Sequence, residues 1–172
     1  SKATLKEEDA IKTLLDLKEQ GKIRFLGSSS TLPNLADHVA MSVFDEFQIP
    51  YSALSREHED WITKAADSGI GTVIRGGIAK GQPGEGTGVN DTWAKWDEAG
   101  LDALLEVGES RTAFMLRFTL THPGLHTTIV GTKNQVHLWE NVAAAGRDPL
   151  SPDIFDEAKR RLDAVGVTAE PV

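Results

Sequence analysis

Four times in succession the chain passes from a short apolar segment, through small or polar residues, into a stretch with helical periodicity. Ile23 to Gly27 leads through Ser28, Ser29 and Ser30 to a helix starting at Pro33 and running to about Met41. Phe44 to Ile49 leads to a helix near Glu57 to Ser68, Thr72 to Arg75 to one near Ser110 to Thr121, and Thr127 to Val130 to one near Gln135 to Ala145. Apolar segments this short that do not alternate in polarity predict strands covered on both faces. The arrangement that satisfies them is a parallel sheet with right-handed helical crossovers. A helix precedes the first unit: Thr4 and Glu7 form a capping box, Leu5, Ile11, Leu14, Leu15 and Leu17 follow near helical spacing, and Gly21 stops it. Ser151 as N-cap and Pro152 at the first helical position open a last helix that packs outside the four units.

One stretch breaks the cadence. Between Gly76 and Asn90 the chain has six glycines, more than a tight connection needs, and Trp93 and Trp96 follow in a short helix. This predicts a long mobile loop, residues 76–92, at the strand-end face, with the two indoles covering its base. Trp61 and Trp139 fall inside helical patterns and are read as packing residues.

Several function classes are excluded. A net charge of −8 repels phosphate backbones, so nucleic acid is not an expected partner. There is no cysteine for a disulfide, a thiolate nucleophile or a sulfur-bound metal, and the five histidines are too scattered for a metal site. No G-x-S-x-G elbow and no G-x-G-x-x-G fingerprint occurs, which disfavours a serine hydrolase and a Rossmann fold. Without a run of about 18 apolar residues or a signal-peptide core, the expectation is a soluble cytoplasmic protein with no membrane partner.

In parallel α/β folds, ligands collect at the C-terminal ends of the strands. Arg75-Gly76-Gly77-Ile78-Ala79-Lys80-Gly81 offers unobstructed backbone N–H groups and two cations, either a pyrophosphate cradle or a flexible connection. Gly131-Thr132-Lys133-Asn134 precedes a helix and reads as an anion site or as a plain N-cap. Tyr51 is the only tyrosine, so a phenolic acid in this chain would have to be Tyr51; a packing role is the competing reading.

Together with Gln48-Ile49-Pro50-Tyr51-Ser52, Gly69-Ile70-Gly71, Leu116-Arg117-Phe118 to His122-Pro123, and Ile129-Val130-Gly131-Thr132 to Glu140-Asn141, the segments Gly21 to Ser29 and Arg75 to Gly81 resemble the aldo-keto reductases, in order and spacing from Leu14 to Asn141. That family folds as a (β/α)8 barrel and uses NADPH to reduce aldehydes and ketones, and the resemblance covers only its second half. It implies a single domain over 1–172: four βα units of a parallel TIM barrel, a half barrel plus a C-terminal helix.

The resemblance also implies site roles. Ser29, Ser30 and Gln48 would meet the nicotinamide carboxamide, with Ser30 replacing a more usual asparagine. Arg75 would stack under the ring where many members have tyrosine, and Gly76 and Ile78 would offer backbone contacts to the pyrophosphate. Thr132 and His137 would serve the adenosine 2′-phosphate, and Glu140 and Asn141 the adenine. Gly131 replaces a common lysine, so NADH is an alternative to NADPH. The family's proton-donor tyrosine and its lysine, aspartate and histidine belong to the first four βα units, so no catalytic and no metal-binding residue is assigned here. The expected function is the cofactor-binding half of an NADP-type oxidoreductase, inactive alone. The alternatives are a non-catalytic nucleotide-binding or dimerising module and a self-sufficient enzyme using Tyr51. The open sheet edges imply a homodimer or pairing with an N-terminal half.

Overall fold

The computed structural model describes Ala3, Leu5 and residues 9–172; the Thr4–Glu7 capping box lies outside the described residues. In chain order the elements are α1 (Ala10–Glu19), β1 (Gly27–Ser29), α2 (Asn34–Ala40), β2 (Glu46–Pro50), α3 (Glu59–Asp67), β3 (Gly71–Arg75), α4 (Asn90–Glu98), a 3-10 turn (Leu101–Leu104), α5 (Arg111–Thr121), β4 (Thr127–Ile129), α6 (Gln135–Ala145) and α7 (Pro152–Ala164). The four strands form one parallel sheet in the order β1-β2-β3-β4, as the repeating units predict.

Local signals account for most boundaries. Gly21 closes α1 at φ +70, with the Lys22 N–H reaching back to the Leu17 carbonyl at 3.0 Å; a left-handed glycine permits this exit. The Ser110 hydroxyl caps α5 by accepting from the Ala113 N–H at 3.1 Å. Pro152 opens α7, although the Ser151 hydroxyl makes no cap bond there.

The first strand departs from expectation. It begins at Gly27, where pairing with Glu46 starts, and not at Ile23. Just before it, the Asp45 carboxylate accepts the Leu26 N–H at 2.7 Å and the Asp45 N–H donates to the Leu26 carbonyl at 2.7 Å. Among the described residues no strand lies alongside Ile23 to Phe25, and the apolar character of that segment does not place it in the sheet. Phe25 stays 67% exposed.

The strands are also not covered on both faces. In β2 and β3 burial alternates: Phe47, Ile49, Thr72 and Ile74 are buried, while Glu46, Gln48, Pro50, Gly71, Val73 and Arg75 are half-buried or exposed. Alternate side chains point to opposite faces, so the helices cover one face and leave the other open. Beneath the helices Phe47, Ile49 and Ile74 pack with Leu35, Ile62, Phe114 and Phe118. Outside that layer Phe155 of α7 meets Phe118 with ring centres 4.8 Å apart. None of the described helices is long and apolar enough to cross a membrane.

Candidate functional site

Because the strands are parallel, their C-terminal ends lie at one rim. Register places Ser29 beside Gln48, Gln48 beside Val73, and Arg75 between Pro50 and Ile129. Ser29, Gln48 and Arg75 belong to the alternating set that the helices do not cover, so they share the open face. The Ser29 hydroxyl donates to the Gln48 carboxamide oxygen at 3.2 Å. Arg75 has no ion pair among the described residues, which leaves a cation on that face without a carboxylate beside it.

Ser30 points the other way. It is buried with its hydroxyl 3.0 Å from His38 Nδ1 on α2, and Ser28 approaches the same nitrogen at 3.3 Å. Burial lowers the His38 pKa, so the imidazole is neutral and shares hydrogen bonds with the serines. Of the two serines expected at the carboxamide, only Ser29 faces the open side. His38 was not singled out from sequence, and only the fold brings it under β1.

The glycine-rich segment is shaped by its backbone. Gly76 is exposed at φ +73, and a Cβ there would have no neighbour within 4 Å. Gly77 is confined: a Cβ would lie 3.0 Å from both Thr119 and Thr128, and the Thr119 hydroxyl donates to the Gly77 carbonyl at 2.7 Å. Ala79, Lys80 and Gly81 continue with φ of 47, 64 and 78. The loop then folds back on itself, with the Thr87 N–H donating to the Lys80 carbonyl at 2.9 Å. At its base Trp93 and Trp96 are buried as expected, and the Trp93 indole N–H donates to the Ala79 carbonyl at 3.3 Å. Ile78 is half-buried between the two glycine turns.

After β4 the helix start caps itself. The Thr132 hydroxyl accepts the Asn134 N–H at 3.1 Å, and the Asn134 carboxamide accepts the Val136 N–H at 2.9 Å. Two donors that could meet an anion are therefore already engaged. His137, Glu140 and Asn141 share one flank of α6, with His137 and Asn141 half-buried and Glu140 exposed. Trp139, expected to pack, is 63% exposed, because α6 turns the flank holding His137 and Asn141 inward.

Tyr51 is fully buried, stacked on Phe118 at 6.1 Å and edge-on to His122 at 5.0 Å, and its hydroxyl has no hydrogen-bond partner among the described residues. Burial, reinforced by the Glu59 charge, holds the phenol well above its ordinary pKa. A phenol so placed cannot deliver a proton to a ligand on the open face. Replacing Tyr51 with Phe is expected to leave stability in urea unchanged or raise it by up to about 1 kcal/mol, since no hydrogen bond is lost. A clear loss of stability would reveal a partner for the hydroxyl.

Comparison with known proteins agrees with this architecture. The sequence model of the aldo/keto reductase family matches residues 2–162. An uncharacterized oxidoreductase of Bacillus subtilis, YqkF, is 27% identical over 160 residues, a match spanning 85% of this chain and 52% of the relative. Among solved structures, the holo form of aldo-keto reductase AKR11C1 from Bacillus halodurans superposes with a TM-score of 0.75 at 24% identity, covering 90% of this chain and 53% of that one. The glycerol dehydrogenase AKR11B4 from Gluconobacter oxydans superposes with a TM-score of 0.69 at 19% identity, covering 94% and 55%. The chain thus spans about half the length of the proteins it matches. With four parallel βα units and a family match over nearly its whole length, the chain belongs to the aldo/keto reductase family.

Proposed function

We propose that this chain is the nicotinamide-cofactor-binding part of an NAD(P)H-dependent carbonyl reductase and carries no proton donor of its own. The observation that carries the reading is the row at the strand ends: Ser29 joined to Gln48, with Arg75 unpaired beside them on an open face. A bound nicotinamide dinucleotide would supply the hydride. Ser29 and Gln48 would hold its carboxamide, and the planar Arg75 guanidinium would lie against the ring. Gly76, whose left-handed backbone no neighbour crowds, would with Ile78 offer N–H groups to the pyrophosphate. Thr132, His137, Glu140 and Asn141 would line the adenosine end. The acid that protonates the carbonyl oxygen would come from the remainder of the barrel, because Tyr51 is walled into the core.

Titration with NADPH, followed by fluorescence and with NADH as comparison, tests the reading. Saturable binding is expected, and Arg75→Ala should weaken it by about tenfold, the equivalent of one cation–π contact of roughly 1–2 kcal/mol. Equal affinity in the variant would remove Arg75 from the site.

The Ser30–His38 bond favours a second reading, a nucleotide-binding half barrel that never turns over, because it withdraws one hydroxyl from the cofactor side. Both readings have NADPH raising the thermal midpoint of the chain, since a ligand that binds only the folded state stabilises it. They part when the barrel is completed: the first then reduces a carbonyl and the second does not.

A further inference from the structure

One side chain holds the end of β1 from beneath. Ser28 and Ser30 flank Ser29, and because alternate residues of a strand point to opposite faces, they turn toward the helices while Ser29 faces the open side. Their hydroxyls converge on a single atom: His38 Nδ1 lies 3.3 Å from that of Ser28 and 3.0 Å from that of Ser30. One imidazole nitrogen on α2 thus grips both the residue before Ser29 and the residue after it.

The imidazole is itself fixed. It is 7% exposed, its ring centre lies 5.7 Å from that of Phe44, and Phe44 lies 5.4 Å from Phe47 of β2. β2 also carries Gln48, whose carbonyl accepts the Ser30 N–H at 3.1 Å and whose side chain accepts the Ser29 hydroxyl at 3.2 Å. These contacts form a closed circuit from Gln48 through the three serines, His38 and the two phenylalanines back to β2. β1 pairs with β2 over only three residues, so the circuit adds to a short run of backbone bonds.

Packing does not account for a histidine at this position. Its second ring nitrogen, Nε2, is buried without a hydrogen-bond partner among the described residues, and a buried polar atom left unpaired is destabilising. A leucine would fill the space without that penalty, but it would offer the serines no partner. What the imidazole adds is the pair of contacts on either side of Ser29.

We propose, on the reading of this rim as the nicotinamide site, that His38 is a positioning residue for cofactor binding: by holding Ser28 and Ser30 it aims the Ser29 hydroxyl, and Gln48 with it, at the nicotinamide carboxamide. His38 lies beneath the sheet and touches no cofactor. Its effect on affinity passes through Ser29 and should vanish once the Ser29 hydroxyl is gone.

Calorimetric titration of the purified chain with NADPH and with 2′-phospho-ADP-ribose, which lacks the nicotinamide, tests this. His38→Leu should weaken NADPH binding about three- to tenfold, the scale of one hydrogen bond, and leave 2′-phospho-ADP-ribose unchanged. His38→Asn, whose side-chain oxygen can replace Nδ1 as acceptor, should restore the affinity. Ser29→Ala should weaken NADPH to a similar extent, and His38→Leu added to it should weaken it no further, since losses that run through one group do not add. Changing Ser28 and Ser30 together to Ala removes the same two bonds without altering α2, and should reproduce the loss whether or not His38→Leu folds. Unchanged NADPH affinity in that double variant, an equal loss for both ligands in His38→Leu, or additive losses from His38→Leu and Ser29→Ala would overturn the role of His38. A wild-type chain that binds NADPH no more tightly than 2′-phospho-ADP-ribose would overturn the reading of the rim, and the role of His38 with it.

Discussion

Arg56→Ala is expected to destabilise the fold by about 3–5 kcal/mol in urea denaturation, the cost of breaking one side of a buried ion pair. The Arg56 side chain is 3% exposed and serves two parts of the structure. Its Nε donates to Glu59 at 2.6 Å, and its Nη1 donates to Asp163 at 2.7 Å and to the Lys159 and Val167 carbonyls at 3.1 Å each. Removing it takes a donor away from the Lys159 carbonyl within α7 and from the Val167 carbonyl beyond its end, and leaves Glu59, 5% exposed, with Lys159 as its remaining cation among the described residues. Burial alone would raise the Glu59 pKa; Lys159 and Arg56 outweigh it and hold the carboxyl below its ordinary value. A depressed native pKa stabilises above the unfolded pKa, about 4.3, and that stabilisation fades as pH falls through the native value. The deficit of Arg56→Ala should therefore be full at neutral pH and narrow only below about pH 4. A loss under 1 kcal/mol at neutral pH would mean that α7 is held by its apolar contacts alone.

Trp96→Ala should cost a similar amount, about 3–5 kcal/mol, as expected for a large aromatic removed from a closed core. Trp96 is fully buried, meets Phe114 edge-on at 5.7 Å, lies 5.7 Å from Trp93, and donates its indole N–H to Asp102 at 2.8 Å. Its loss would loosen α4, and with it the Trp93 contact that fixes Ala79 at the base of the glycine-rich loop. Limited proteolysis should accordingly speed up within residues 76–90. Wild-type stability together with unchanged cleavage would show that the loop does not depend on this aromatic group.

The strand and helix cadence was legible because its signals are local. Ser110 and Gly21 mark their helix ends through their own geometry, and β2 and β3 carry apolar side chains at the positions that meet helices. The misplaced start of β1 shows the limit: Ile23 and Phe25 have strand-forming side chains, but pairing begins only where β2 lies alongside. Trp139 was misjudged for a related reason. Periodicity tells which residues share a flank of α6, and not which flank meets the body of the protein.

At the site, Ser29, Gln48 and Arg75 could be placed on one rim from their order along the chain. The turning of Ser30 toward His38 could not, because it depends on where α2 settles under β1. The clasp of Arg56 on Asp163 joins residues 107 positions apart and left no trace in local pattern.

In the proposed function this chain holds a nicotinamide cofactor without the means to complete the reduction. The most direct test is to saturate the purified chain with NADPH, add an aldehyde, and follow the absorbance of the reduced nicotinamide. Saturable binding followed by a flat trace is the predicted result. Oxidation in proportion to the amount of protein would contradict the account, and abolition of that activity by Tyr51→Phe would place the acid within this chain after all.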